Sequence, residues 1–449
     1  MRLLPETIER LPSEVMRFGY DRDRQAIGIV HFGIGAFHRA HQAWYTDLAM
    51  SAGERDWALS GVSLRSRAVA EQLNPQSGLY TLTERSGEMA ETRVVGAVRE
   101  VLFAPEDARE VIDRIAAPEC RIVSFTVTEK GYCRAEGGEL DLALAEASFY
   151  PLLGEALALR ASRGLPGITL LCCDNLADNG AVLGRLMRDW LGARTPDAID
   201  WFKDRCTTPS TMVDRIVPRS ASDDLADLER RLGQKDEGAI FTERFSQWVI
   251  EDRFANGRPA WERHGAEMVD DVAPYELAKL RMLNGAHSLL AYCGLRKGYT
   301  FVHEAVADPE LRTLAERLMT DEAAPTVEAA EGQDLAAYSH QLLARFADPA
   351  LRHRLAQIAM DGTQKIPQRW LDTVLWHSDR GGDTPAIREA FDAWCWHLAD
   401  GRFVDDPHGV VLRQAARAGK DEILDLSLGR TEKALWPGYR VIRTLLAAA

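Results

Sequence analysis

The sequence predicts an α/β protein: an N-terminal Rossmann-type doubly wound parallel sheet, followed by a mainly α-helical C-terminal domain. Three observations carry this. Short runs rich in Ile, Val, Leu and Phe alternate with helical stretches over roughly the first 200 residues, as strands buried on both faces of a parallel sheet do. The pattern Gly33-x-Gly35 follows the first apolar run, residues 26–30, like the first strand and turn of a dinucleotide-binding unit. From about residue 276 onward helical periodicity takes over and strand candidates become rare.

In chain order, "AIGIVHFG" (26–33), "WALSGVSL" (57–64), "CRIVSFTVTE" (120–129) and "GITLLCCDN" (167–175) read as strands. "PEDAREVIDRIAA" (105–117) is one of the helices between them. Then "ELAKLRMLNGAHSLLAYCGL", "ELRTLAERLMTDEAA", "LAAYSHQLLARFA" and "AIREAFDAWCWHLADG" all show helical periodicity. A boundary near Pro274 gives a dinucleotide-binding domain over 1–275 and a helical substrate and catalytic domain over 276–449.

Composition narrows the function. The 449 residues carry a formal net charge of −14, with 46% apolar and 27% charged residues. Such an acidic chain has no electrostatic footprint for nucleic acid or an anionic membrane surface, though a local basic pocket for a small anion is compatible with it. No apolar run approaches the roughly 20 residues needed to span a bilayer. The N-terminus "MRLLPETIERLPSEV" has no signal-peptide core. Seven cysteines, without a C-x-x-C pair, suit free thiols in a reducing compartment, so a cytoplasmic protein is expected. The oligomeric state is left open, and a monomer is compatible with the sequence.

Gly33 and Gly35 allow a tight turn and close approach of a pyrophosphate. The third glycine slot holds His38, with Arg39 and His41 following. His38 and His41 could share a helix face, but no third ligand with recognisable spacing and no HExxH occurs, so no metal is expected. The second strand ends in Arg65, Ser66 and Arg67, where NAD-binding domains usually carry an acid. Taken alone, that tilts toward NADP.

Lys279, Asn284 and His287 interrupt an otherwise apolar helix. At α-helical spacing they fall within an arc of roughly 140° and span about 12 Å. Three such groups on one side of a buried helix imply a polar cavity. Gly285 in mid-helix costs about 1 kcal/mol relative to alanine, which suits a close neighbour there. Tyr275 and Lys279 mimic the Y-x-x-x-K pair of short-chain dehydrogenases, but at the entry to a second domain rather than inside a single one.

Six segments now stand in order: "GIGAFHRAHQAWYTD", "TVTEKGY" (126–132), "CCDNLADNG" (172–180), "VDRIVP" (213–218), K-x4-N-x2-H (279–287) and "DGTQKIPQR" (361–369). Together they resemble the polyol-specific long-chain dehydrogenases, the mannitol 2-dehydrogenase and fructuronate reductase family. The His-Arg-x-His variant of the glycine turn is that family's signature. The resemblance implies an NAD-linked, metal-independent oxidoreductase with its site between the domains. It implies Lys279 as the catalytic lysine, Asn175 and Asn284 as oxyanion asparagines, and His287 as the group holding substrate and lysine. Asp214 and Lys365 match further active-site positions. Where some mannitol-specific members carry an arginine upstream of the "DG" motif, this chain has Gln357.

The expected reaction interconverts a secondary alcohol and a ketone of a polyol or sugar acid. Neutral Lys279 removes the hydroxyl proton, which requires its pKa to be lowered by burial. Asn175 and Asn284 donate to the alkoxide, and Glu276, one turn before the lysine, relays protons. Gly33, Gly35, Phe37, His38 and Arg65 are the expected cofactor contacts. NAD is expected ahead of NADP, because an arginine can stack on adenine without a phosphate. "GVSLRS" and "DGTQKIPQR" look more like the family's sugar-acid branch than its mannitol 2-dehydrogenase branch, which leans the substrate toward a sugar acid; Lys365 and Arg369, four apart, could meet its carboxylate, with a surface or inter-domain salt bridge as the plainer role for Arg369. A zinc-dependent polyol dehydrogenase and a non-catalytic nucleotide-binding protein are the alternatives.

Overall fold

The computed structural model describes residues 1–135, 137–402, 404–429 and 433–447. The chain divides into two compact units, Met1–Val272 and Ala273–Ala449.

The first unit holds strands β1 (Ile27–Phe32), β2 (Ala58–Ser63), β3 (Tyr80–Ser86), β4 (Met89–Val95), β5 (Val98–Phe103), β6 (Ile122–Phe125), β7 (Thr169–Cys172), β8 (Thr211–Asp214), β9 (Ile240–Glu243), β10 (Gln247–Glu251) and β11 (Glu267–Val269). The central sheet is parallel throughout, in the order β5-β2-β1-β6-β7. Alternation along the strands sends side chains to both faces. Val30, Val123 and Leu170 enter one core with Phe125, Phe149 and Leu183. Ile29, Ile122 and Leu171 enter another with Leu59 and Trp248. Burial on both faces is why these strands read as continuous apolar runs.

Two further sheets, β4-β3-β9 and β11-β10-β8, extend the doubly wound plan. Both contain antiparallel pairs, β3 with β4 and β10 with β8. β3 and β4 form a hairpin turned at Gly87, whose φ is +57°. A strand such as Met89–Val95, "MAETRVV", begins exposed and ends buried, so it lacks the apolar run that marks the central strands.

The second unit is helical among its described residues, around a core that includes Leu289, Leu290, Trp370, Phe391 and Trp394. The lysine segment departs from the expected α-helix. Ala273–Ala278 is α-helical, Lys279–Asn284 is a π-helical turn, and Gly285–Lys297 resumes the α-helix. Leu318–Ala323 and Pro367–Leu371 are π-helical as well, and both pack against Lys279–Asn284. No helix among the described residues is long and apolar enough to cross a membrane.

Candidate active site

The turn after β1 is held from behind. Gly33 has φ +94°, and a Cβ there would lie 2.1 Å from the Thr126 carbonyl oxygen, so only glycine suits it. His31 bridges Ser124 Oγ through Nδ1 and Thr126 Oγ1 through Nε2, both at 2.8 Å, and Thr126 Oγ1 donates to the Gly33 carbonyl at 2.8 Å. Burial pushes the His31 pKa down to about 3, so the ring is neutral.

His38 and His41 do not share a face, contrary to what their spacing allows. The first helix, Ala36–Ala40, breaks at His41, where φ is −120° and ψ −97°. His38 turns inward, stacked on His31 with centroids 3.4 Å apart, and both its ring nitrogens are enclosed without a hydrogen-bond partner among the described residues. Burial, then the neighbouring His31, drives its pKa well down. His41 Nε2 lies 3.0 Å from the Gln247 carbonyl oxygen. Arg39 donates to the carbonyls of Gly238 (2.8 Å) and Gly35 (3.2 Å). The His-Arg-x-His cluster is thus a set of buried brackets behind the turn. Among the described residues, no group of three or more His, Cys, Asp or Glu could hold a metal ion.

The front of the turn is open. A Cβ on Gly35 would meet only the Gly33 carbonyl, at 3.7 Å. Phe37 is half-buried and stacks on His41. Space at Gly35, and the amides that open the following helix, suit a pyrophosphate.

At the tip of β2 the two arginines differ. Arg67 Nε donates to Glu106 Oε1 at 2.7 Å, its Nη2 contacts Oε2, and its guanidinium lies over Phe103. Arg65 is exposed and makes no ion pair among the described residues.

Asn175 stands exposed beyond β7, on a loop whose neighbours are anchored. Asp174 accepts hydrogen bonds from the amides of Val127 (2.8 Å) and Thr128 (3.0 Å) and from Tyr132 Oη (2.7 Å). Thr128 has φ +67°, an uncommon conformation for a branched residue, and Asp174 pins it. Asn179 Nδ2 donates to the carbonyls of Asp174 (3.0 Å) and Thr211 (2.8 Å), and its Oδ1 accepts from the Thr211 amide (2.9 Å). That ties the Asn175 loop to β8, which ends at buried Asp214. The next residue, Arg215, is buried, pairs with Glu84 and donates to the Ala40 carbonyl. Sequence reasoning missed Asp174 and Asn179 as braces, although polar residues crowding the end of an apolar strand were a signal.

In the second unit, Lys279 and Asn284 are the ends of one π-helical turn, and a π-helix closes from residue i to i+5. The expected 140° arc, drawn at α-helical pitch, is corrected accordingly: the wide turn brings these two onto one side. His287 follows Asn284 at i+3 in the resumed α-helix. Lys279 and Asn284 are 9% exposed and His287 is 7% exposed. The His287 ring lies 4.6 Å from Phe346 and 5.4 Å from His353, and its Nε2 is enclosed without a hydrogen-bond partner among the described residues. Burial, then His353, Arg345 and Arg369, holds its pKa well below the usual value, so it is neutral. Glu276 and Tyr275 are half-buried on the preceding helix.

Arg369 lies on the π-helical turn Pro367–Leu371. Its Nη1 donates to Ser288 Oγ (2.8 Å) and to the Asn284 carbonyl (3.3 Å). It makes no salt bridge among the described residues of its own unit. Burial lowers its pKa to about 10. Trp370 Nε1 donates to the Gly285 carbonyl at 3.1 Å, and a Cβ on Gly285 would stand 3.3 Å from the Arg369 carbonyl oxygen, the close neighbour that the mid-helix glycine implied. Lys365, one turn before Arg369 on helix Gly362–Ile366, is half-buried and donates to the Met360 carbonyl at 2.5 Å. Gly362 has no room for a side chain, since a Cβ would lie 2.7 Å from Tyr292 Oη.

The sequence matches the family model of the mannitol dehydrogenase Rossmann domain over residues 27–263, and that of the mannitol dehydrogenase C-terminal domain over residues 271–428. It is 44% identical over 396 residues to the D-mannonate oxidoreductase of Escherichia coli K12, covering 85% of this chain and 82% of that one. It is 38% identical over 386 residues to the polyol:NADP oxidoreductase of Gluconobacter oxydans, covering 82% and 79%. The fold matches the ternary complex of Pseudomonas fluorescens mannitol 2-dehydrogenase with NAD and D-mannitol, with a TM-score of 0.83 and 33% identity over 100% of this chain and 99% of that one. This chain belongs to the mannitol dehydrogenase family.

Proposed function

We propose that this protein is an NAD-dependent oxidoreductase that interconverts a secondary alcohol and a ketone, acting on a sugar acid of the mannonate and fructuronate type. One observation carries the substrate class. Arg369 keeps a half-buried guanidinium with no carboxylate partner among the described residues of its unit, bonded to the helix that bears Asn284 and one turn from Lys365. Partial burial of a cation without an internal counterion carries a cost, and a substrate carboxylate would offset it. Likeness to a D-mannonate oxidoreductase supports the same reading.

Lys279 takes the proton from the carbinol hydroxyl in oxidation, a step that requires its neutral amine, and returns it in reduction. Asn284 and Asn175 donate hydrogen bonds to the oxygen as it becomes an alkoxide. Neutral His287 can donate from one ring nitrogen and accept at the other, and so holds a hydroxyl and the lysine in place. Asp214 and Lys365 orient further substrate hydroxyls, and Glu276 passes the proton between Lys279 and water. Gly33, Gly35 and Phe37 cradle the dinucleotide, with Arg65 near its adenosine end, while enclosed His38 supports the turn from behind. The nicotinamide, when bound, supplies the hydride acceptor and donor. Proton transfer is assigned to a lysine, so activity is expected to survive chelators. NAD is favoured over NADP because Arg67 already has a carboxylate partner.

Polyols are the second reading, favoured by the match along the whole chain to a mannitol 2-dehydrogenase. The test is kcat/KM for D-fructuronate against D-fructose, with Arg369→Ala beside the wild type. Preference for fructuronate, lost in the variant, supports the sugar acid. Preference for fructose, unchanged by Arg369→Ala, replaces it with the polyol.

A further inference from the structure

β5 lies beside β2 in parallel register, with Ser63 opposite Phe103. The residues just past the two strand ends therefore meet. Glu106, in the first turn of helix Ala104–Ile115, engages both prongs of the Arg67 guanidinium, while Phe103 covers its face. Arg65, two residues earlier, keeps its charge free of any ion pair among the described residues. In dinucleotide-binding sheets this strand tip meets the adenosine ribose, and a 2′-phosphate there is held by arginine. An arginine binds a phosphate best with two parallel N–H donors, the same donors that a carboxylate takes.

We infer that Glu106 sets the choice between the two dinucleotides, by occupying the fork of Arg67 and placing a carboxylate where a 2′-phosphate would need a cation. This rests on the nicotinamide reading above. Removing the carboxylate would leave two arginines at the tip, Arg65 and Arg67, and turn the site toward the phosphorylated cofactor. The arginines that made the sequence look NADP-like are then one cation without an ion pair among the described residues and one that is masked. The pair is half-exposed, 50% on each side, so it is held weakly. The discrimination is accordingly modest and should respond to a single substitution.

The experiment measures binding of adenosine 2′,5′-bisphosphate and of ADP by calorimetry, in the wild type, Glu106→Gln, Glu106→Ala and Glu106→Gln/Arg67→Ala. Thermal unfolding of each variant checks that it is folded. The NADPH/NADH ratio of kcat/KM is read beside it. Either Glu106 variant is expected to bind the 2′-phosphate probe about tenfold tighter, with ADP affinity within about twofold of wild type. Adding Arg67→Ala should erase the gain. A ratio unmoved in both single variants, or a gain that persists without Arg67, overturns the inference while leaving the nicotinamide reading in place. A wild type that binds neither ADP nor NADH overturns both.

Discussion

In the first unit, Asn175 and Asp214 stand at strand ends, and side chains from elsewhere fix the loops around them. Asp174 ties down Val127, Thr128 and Tyr132, and Asn179 clamps β7 to β8. In the second unit, the helix itself presents Lys279, Asn284 and His287, and a change of helical pitch sets their alignment. Arg369 and Trp370 then hold the carbonyls of Asn284 and Gly285. One unit positions polar groups by bracing irregular backbone, the other by altering regular backbone. The first should therefore be sensitive to loss of a turn or a brace, the second to loss of the chemistry the helix carries.

The largest expected effect falls on that chemistry. Lys279→Ala should lower kcat by roughly 10²–10⁴-fold in both directions. NADH affinity, measured by fluorescence titration, should stay close to wild type. Retention of more than about a tenth of wild-type kcat would remove Lys279 from proton transfer.

The same substitution made in both units sharpens the contrast. Gly33→Ala meets φ +94° and a backbone oxygen 2.1 Å away, so it should destabilise the protein by about 3 kcal/mol or more. Gly285→Ala keeps helical φ and gains about 1 kcal/mol of propensity, against a contact of 3.3 Å to the Arg369 carbonyl. Its stability should change little while kcat falls, as the Arg369 segment is pushed back. Denaturant midpoints and initial rates on both variants decide it. Equal destabilisation would dissolve the contrast.

A smaller effect concerns acid. His31, near pKa 3, and His397, near pKa 4, are neutral when folded because burial disfavours the charge. Unfolded, each binds a proton below about pH 6.5. Stability is therefore lost as pH falls from about 6.5 toward 4, by at most about 1.4 kcal/mol per pH unit for each ring. Glu322 acts oppositely. It accepts hydrogen bonds from the amides of Ala386 and Ile387, yet burial raises its pKa to about 7. It stays protonated in the fold above its unfolded pKa of about 4.3, so its contribution is lost as pH rises from there to 7. Between pH 4.5 and 6.5, His31→Gln should flatten the acid loss and Glu322→Gln should steepen it. Urea midpoints across that window test both signs, and shifts in the same direction would refute the assignment.

The central strands were legible because burial on both faces forces apolar runs, as in "IGIVHF" and "TLLC". The glycine turn was legible because Gly33 must adopt positive φ. The hairpin of β3 and β4 was not, since its strands alternate with polar residues such as Glu84, Thr92 and Arg93. Lys279, Asn284 and His287 stood out as polar interruptions of an apolar helix. Their alignment did not, because a π-helical turn leaves no mark on a pattern read at 3.6 residues per turn. The fate of His38 depended on the chain folding back over His31 of β1, and that of Arg67 on Glu106, nearly forty positions away. Partners brought together by the fold are invisible to local spacing.

The account rests on one group that accepts a proton in oxidation and donates it in reduction. The pH dependence of kcat in both directions, with deuterated substrate and cofactor to show that hydride transfer limits the rate, tests it most directly. Oxidation should rise with pH and reduction fall, each profile governed by one ionisation, and Lys279→Ala should abolish both dependences. Parallel profiles in the two directions, or profiles unchanged by Lys279→Ala, would contradict it.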